Sequence, residues 1–299
     1  METRKGPINW GYIMANIWKV VPATLLVLII LSGMDSAGIR MAETIVPQIA
    51  GEFGVAIDVE TGEILYNKIA HSKAYPASMT KVLTATILDE RMDDGEILTV
   101  SPNAACQECI CLGLKAGEKI SKQDAMKALL LVSANDVSVT IAENVGGSEE
   151  GFAELMNQKV RVLRLKNSHF VSASGLNGPN HYTTPYDMAL ITKEAVQHPN
   201  VLEVMSTQAA RIKTSMQEKN ISNLIKLQTM PNVIAGKPGF TNAAQHTLVE
   251  YLKKDNKEVI SVVMKSDKQS KYSDVQTMAN YSFAHLQKSK PVSEEDIVD

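Results

Sequence analysis

Ser78 and Lys81 stand three residues apart in Ser78-Met79-Thr80-Lys81. On a helical segment that spacing puts a hydroxyl and an amine on one face. A serine hydroxyl is a poor nucleophile at neutral pH until a base takes its proton, and a partly desolvated lysine does so. Chance supplies about one S-x-x-K in a chain of this length, and a surface helix start explains many isolated matches, so the motif needs partners. The chain holds no second S-x-x-K. Two further triplets follow it. Ser133-Ala134-Asn135 is a hydroxyl with an amide two residues on, lying between apolar helical segments. Lys237-Pro238-Gly239 follows Ile234-Ala235-Gly236 and precedes Phe240-Thr241. A lysine between glycines on a strand lets a ligand approach the backbone closely, and its charge suits a carboxylate. Singly, each triplet also reads as an ordinary turn or loop; Ser101-Pro102-Asn103 fits S-x-N equally well.

The elements that must position these residues follow from periodicity. Phe53, Val55, Ile57 and Val59 alternate with small or polar residues as in a half-buried strand, Glu60 to Glu63 is a turn, and Ile64-Leu65-Tyr66 returns. Pro76-Ala77-Ser78 opens a helix to about Arg91, which places Ser78 at or near a helix N-terminus, where free N–H groups favour a developing anion. Ser121-x-x-Asp124 caps a second helix. Asp136 to Val145 and Glu149 to Leu165 read as helices, residues 166–183 as a long polar loop, and Thr184-Pro185 as a helix start. Thr247 to Tyr251 and Val259 to Met264 read as core strands around an Asp255-Asn256 turn, and a last helix spans roughly Asp274 to Gln287. Strands at both ends enclose a helical middle with no linker. The expected fold is one α+β domain whose antiparallel sheet joins N- and C-terminal strands.

The order S-x-x-K, S-x-N, K-x-G is the signature of penicillin-recognising serine enzymes. The likeness extends well beyond it. Ile57 to Tyr66, Tyr75 to Lys81, Leu131 to Asp136, Ala142 to Gly147, Met156-Asn157, Ser174-Gly175-Leu176, His181 to Thr184 with Asp187, and Gly239 to Ala244 each resemble a segment of the serine D-alanyl-D-alanine carboxypeptidases, in order across about residues 53–285. The resemblance implies a β-lactamase/transpeptidase-like fold and an acyl-enzyme on Ser78. In that reading Lys81 is the base, Ser133 relays a proton to the leaving D-alanine, and Asn135 holds the substrate amide. Lys237 attracts the terminal carboxylate, with Gly239, Phe240 and Thr241 lining the substrate strand. The N–H groups of Ser78 and Phe240 form the oxyanion hole. The implied partners are peptidoglycan stem peptides ending in D-Ala-D-Ala and β-lactams as covalent inhibitors, and no cofactor or metal is implied.

This sequence departs from the family pattern in two places. Pro238 stands where the family has Thr or Ser, which removes a hydroxyl and an N–H; an edge strand or bulge tolerates that. Tyr272 stands where an Arg is common, with Lys268 and Lys271 as near substitutes, although the two cations are not interchangeable at a planar carboxylate site. A weakened or inactive pseudoenzyme that binds peptidoglycan stems is therefore the alternative. A class A β-lactamase needs a deacylating Glu; Glu154 lies on a helix, and the loop 166–183 has no acidic residue.

Composition sets the remaining bounds. A net charge of −3 and no Arg-rich run exclude a nucleic-acid face. Val20 to Leu31 is an uncharged apolar run behind Lys19, the length of a signal-peptide core rather than of a span of about 20 residues. Residues 1–38 read as a signal peptide or anchor, 39–288 as the catalytic domain and 289–299 as an acidic tail. That places the protein outside the cytoplasm, touching the membrane only through its N-terminus. Cys106, Cys109 and Cys111 read as a local disulfide or as thiols in preference to a metal site, since no fourth ligand is near in sequence.

Overall fold

The computed structural model describes residues 45–107, 110–176 and 178–286. The apolar run at Val20 to Leu31 and the acidic tail lie outside them, as does Cys109. From Pro47 onward the chain forms one unit.

Its centre is a five-stranded antiparallel sheet. β1 (Phe53–Asp58) and β2 (Ile64–Lys68) form the opening hairpin, and β7 (Val233–Thr241), β8 (Gln245–Lys254) and β9 (Lys257–Ser266) a closing meander. The strand order β2-β1-β9-β8-β7 joins the two ends of the chain in one sheet and leaves β7 at an edge. Period-2 alternation sends successive side chains to opposite faces. Val55, Ile57, Val249, Tyr251, Ile260, Val262 and Met264 pack against the helical middle. Ala56, Leu248, Leu252, Val259 and Val263 pack against the C-terminal helix. Both faces are covered, which is why β8 and β9 read as apolar runs.

Between the sheet's two halves come α1 (Lys81–Arg91), a single turn at Pro102–Ala105, α2 (Lys122–Leu131), α3 (Asn135–Gly146), α4 (Glu149–Val162), α5 (Pro185–Ala195) and α6 (Pro199–Met205); α7 (Ser270–His285) closes the chain. The expected caps are in place: Ser121 accepts from the Asp124 N–H at 3.1 Å and Thr184 from the Asp187 N–H at 3.0 Å. Two small ribbons were not evident in the sequence, β3 (Ile97–Thr99) with β4 (Lys119–Ser121) and β5 (Ala209–Lys213) with β6 (Glu218–Ser222). The last helix begins four residues before the expected Asp274. That carboxylate is no cap: it accepts from the N–H groups of Ala50 and Gly51 at 2.8 and 2.9 Å and from Ser266 Oγ at 2.6 Å, bolting the start of the domain to its end.

Candidate active site

Ser78 lies in a 3-10 turn, Ala77–Thr80, that runs directly into α1. In a 3-10 turn residues i and i+3 eclipse, which sets Lys81 Nζ 3.1 Å from Ser78 Oγ. The turn begins on Ala77 at φ +49, a conformation costly for a residue with a Cβ. Lys81 is fully buried, and its Nζ also donates to Asn135 Oδ1 at 2.9 Å and to the Ser174 carbonyl at 2.7 Å. Burial, then the Lys237 charge, holds its pKa well below that of an ordinary lysine, while Cys111 acts in the opposite direction. A lysine so depressed has a neutral amine available to take a proton.

Asn135 opens α3, behind Ser133 in the left-handed region at φ +64. Ser133 Oγ is buried and has no hydrogen-bond partner among the described residues. The Asn135 N–H donates to the Ile110 carbonyl at 2.7 Å. Next to it, the Asp136 carboxylate accepts from the N–H groups of Leu112, Gly113 and Leu114 at 3.0, 2.8 and 3.0 Å. The cysteine-bearing loop is thereby anchored to the S-x-N turn. Cys106 and Cys111 do not pair with each other, and Cys111 Sγ lies 3.2 Å from the Gln107 carbonyl.

The third side is the edge strand β7. Lys237 and Gly239 pair with Val249 and Thr247 and face the helical middle, whereas Pro238 pairs with Leu248 and faces the other way. A Cβ on Gly239 would lie 2.5 Å from Thr247 Oγ1 and 2.9 Å from the Ser78 nitrogen. Only glycine lets the strand come this close to the nucleophile turn. The turn is also held from β8, since Thr247 Oγ1 donates to the Pro76 carbonyl at 3.1 Å. Lys237 is fully buried and its Nζ reaches the Pro238 carbonyl at a long 3.4 Å. Burial, then the Lys271 charge, brings its pKa down to about 7.

The family model described as D-alanyl-D-alanine carboxypeptidase matches residues 23–268. The chain belongs to this family. D-alanyl-D-alanine carboxypeptidase DacF of Bacillus subtilis is 32% identical over 243 residues, which are 78% of this chain and 62% of the relative. DacD of Escherichia coli is 28% identical over 259 residues, 83% of this chain and 66% of the relative. The chain thus spans slightly less than two thirds of the length of these relatives. A D-alanyl-D-alanine carboxypeptidase crystal structure from Mycobacterium tuberculosis, 25% identical, is similar at a TM-score of 0.78, covering 83% of this chain and 96% of its own. A mutant of the Streptomyces K15 DD-transpeptidase, 26% identical, reaches 0.76 over 80% of this chain and 99% of its own.

Against the family pattern, Pro238 stands where a missing N–H is tolerated, on the open edge of the sheet. Phe240 is exposed and packs against His246 with ring centroids 4.5 Å apart and planes tilted by 32°. Thr241 Oγ1 accepts from the Ala244 N–H at 3.0 Å and so stitches the β7–β8 turn. Of the sequence candidates, Ser78, Lys81 and Asn135 share one hydrogen-bonded cluster, and Gly239 abuts it.

Three contributors lie in segments that the sequence comparison singled out without giving them a role. One is the Ser174 carbonyl. Gly175, at φ +82, brings it in, and a Cβ there would lie 2.0 Å from the Ala77 carbonyl oxygen. Another is His181. The Val171 N–H donates to its Nδ1 at 3.1 Å, so Nε2 carries the proton and donates to Thr80 Oγ1 at 3.1 Å. The last is Asn157, whose amide clamps Phe170 through its carbonyl at 2.7 Å and its N–H at 3.0 Å. Glu154, the β-lactamase candidate, is exposed on α4. One group of possible metal ligands exists among the described residues, Glu90, Glu194 and His198, but Lys159 Nζ already lies 2.5 Å from Glu90 and 2.6 Å from Glu194.

Proposed function

We propose that the protein is a serine D-Ala-D-Ala carboxypeptidase that removes the terminal D-alanine from peptidoglycan stem peptides. The observation that carries this reading is the buried Lys81 amine, 3.1 Å from Ser78 Oγ and held from two further elements. Ser78 Oγ attacks the carbonyl carbon of the penultimate D-alanine as its proton passes to Lys81. The N–H groups of Ser78 and Phe240 receive the oxyanion, each such donor being worth about 3 kcal/mol. The C–N bond breaks, and Ser133, whose buried hydroxyl is uncommitted, relays a proton to the leaving D-alanine amine. Water then attacks the ester and regenerates Ser78. Asn135 orients Lys81 and the substrate amide; Lys237 receives the terminal carboxylate, with Gly239, Phe240 and Thr241 as the strand along which the substrate lies. β-Lactams acylate Ser78 by the same attack.

The substrate belongs to the cell wall, so the protein works outside the cytoplasm. Residues 1–38 serve as the export signal or anchor, 39–288 as the catalytic domain and 289–299 as a tail. Labelling with fluorescent penicillin, beside Ser78→Ala and an assay of D-alanine release from a D-Ala-D-Ala peptide, tests the function. Labelling that persists in Ser78→Ala refutes the mechanism. Pro238 favours a second reading, a non-turning-over binder; peptide binding with neither label nor D-alanine release selects it.

A further inference from the structure

The β5–β6 ribbon has no part in the acylation steps, yet it grips the loop against which Asn135 rests. β6 pairs with β5 through Ile212↔Lys219 and Ala210↔Ile221. Ile212 and Ile221 belong to the core, so alternation along the ribbon puts the Lys219 side chain on the same face as theirs. Although the residue is exposed overall, Lys219 Nζ donates to the Leu112 carbonyl. Two residues before it, Gln217 Nε2 donates to the Gly113 carbonyl at 3.2 Å and to Glu118 Oε1 at 3.0 Å. The ribbon is moored to β4 in turn. The Ser215 N–H donates to the Lys119 carbonyl at 2.8 Å, and Ser215 Oγ accepts from the Lys119 N–H at 2.9 Å.

The N–H groups of the same loop face α3. Gly113, at φ +83, lets the successive N–H groups of Leu112, Gly113 and Leu114 converge on the Asp136 carboxylate. The Leu112 and Gly113 carbonyls are left for Lys219 and Gln217. Two residues earlier, the Ile110 carbonyl accepts the Asn135 N–H at 2.7 Å. Asn135 and Asp136 open α3, and Asn135 Oδ1 accepts from Lys81 Nζ at 2.9 Å. Every link from Lys219 to the Lys81 amine is therefore a hydrogen bond or a short run of chain. Asp136 belongs to α3 and ties the loop to that helix; the two ribbon side chains hold the loop from outside it.

We infer that Lys219 is a positioning residue: by holding the Leu112 carbonyl it sets the loop 110–114, and through that loop the Asn135 amide that orients Lys81. The inference rests on the carboxypeptidase reading and gives a part in it to a side chain that touches neither the nucleophile nor the substrate. It also gives the ribbon a use that its small share of the core does not explain.

A double-mutant cycle on the rate of acylation of the full chain by fluorescent penicillin tests this. Lys219→Met keeps the stem and removes the donor. It is expected to slow acylation about fivefold to tenfold, as a displaced catalytic group does. Lys219→Arg, which can still donate to the carbonyl, is expected to stay within about twofold of wild type. In Asn135→Ala the change Lys219→Met is expected to cost less than about twofold, because the group it positions is gone. A purely structural brace would slow both backgrounds alike. No loss in Lys219→Met, an equal loss in the Asn135→Ala background, or a loss that Lys219→Arg does not restore overturns the proposal. Wild-type protein that is not acylated at all refutes the carboxypeptidase reading, and this one with it. If Lys219→Met does not fold, Gln217→Ala, which releases the Gly113 carbonyl, takes its place in the cycle: a loss confined to the Asn135 background supports the proposal, and no loss or an equal one in both overturns it.

Discussion

The wall of the candidate site that carries Ser78 and the wall that carries Lys237 each hold one fully buried lysine, and they hold it differently. Lys81 is tied by three hydrogen bonds of 2.7 to 3.1 Å to three separate segments of chain. Among the described residues Lys237 Nζ has one long hydrogen bond, to its own neighbour, and burial, then the Lys271 charge, lowers its pKa. Hydrogen bonds fix direction, whereas charge at a distance fixes only attraction. In the proposed mechanism, bond-making falls to the wall with fixed geometry and ligand capture to the wall with adjustable charge. The sequence departures follow this division: the S-x-x-K and S-x-N residues are intact, and both departures, Pro238 and Tyr272, belong to the capture side.

The comparison is broken most severely at the first wall. Ser78→Ala is expected to abolish covalent labelling, and Lys81→Met to slow acylation by about 10²- to 10⁴-fold, the usual worth of a general base; intact-protein mass after penicillin treatment reads both. Retained acylation in Lys81→Met would mean that the base lies elsewhere. In the wild type the same rate should fall as the pH drops through the depressed pKa of Lys81, because protonation removes the base. Next comes Gly239→Ala, which drives a methyl group into Thr247 Oγ1 and the nucleophile turn. A loss of about 100-fold is expected from that displacement, and a rate within twofold of wild type would show that the two walls can part without cost.

The second wall should respond more mildly. Pro238→Thr restores an N–H on the open edge of β7; a hydrogen bond to a charged group is worth about 1.5–3 kcal/mol, so acylation by a carboxylated β-lactam should rise about tenfold or more. No change in rate would remove Pro238 as a cause of weak turnover. The smallest effect at neutral pH is that of His181, which burial, then the His169 charge, holds at about 4 against an ordinary 6.5. A lowered histidine pKa means that the unfolded chain binds the proton first. The stabilisation is whole above about 6.5 and is lost as the pH falls toward 4, about 3 kcal/mol in all. Urea unfolding at pH 7, 5 and 4 should show this slope in the wild type and a flatter one in His181→Gln; equal slopes would refute it.

Much of the frame was legible because its signals are local. The alternation in Phe53 to Val59 and the hydroxyl-first starts at Ser121 and Thr184 are written within a few residues. What sequence reading missed depends on distance. The Ser174 carbonyl is a backbone group, so no residue type announces it, and only the left-handed Gly175 beside it left a trace. In sequence Asp274 reads only as the approximate start of the last helix, and its partners Ala50 and Gly51 lie more than 220 residues away. The β3–β4 and β5–β6 ribbons are three and five residues per strand, too short or too exposed for period-2 patterning to stand out.

The strand order has a consequence for the order of events in the life of the chain. β1 pairs with β9, and the nucleophile turn rests on β7 and β8, so no N-terminal fragment can complete either the sheet or the site. Contacts so distant along the chain cost loop-closure entropy before they return anything, which makes folding slow. A chain emerging from the ribosome stays open until β7, β8 and β9 arrive. Ser78 is translated early, and its surroundings are completed last.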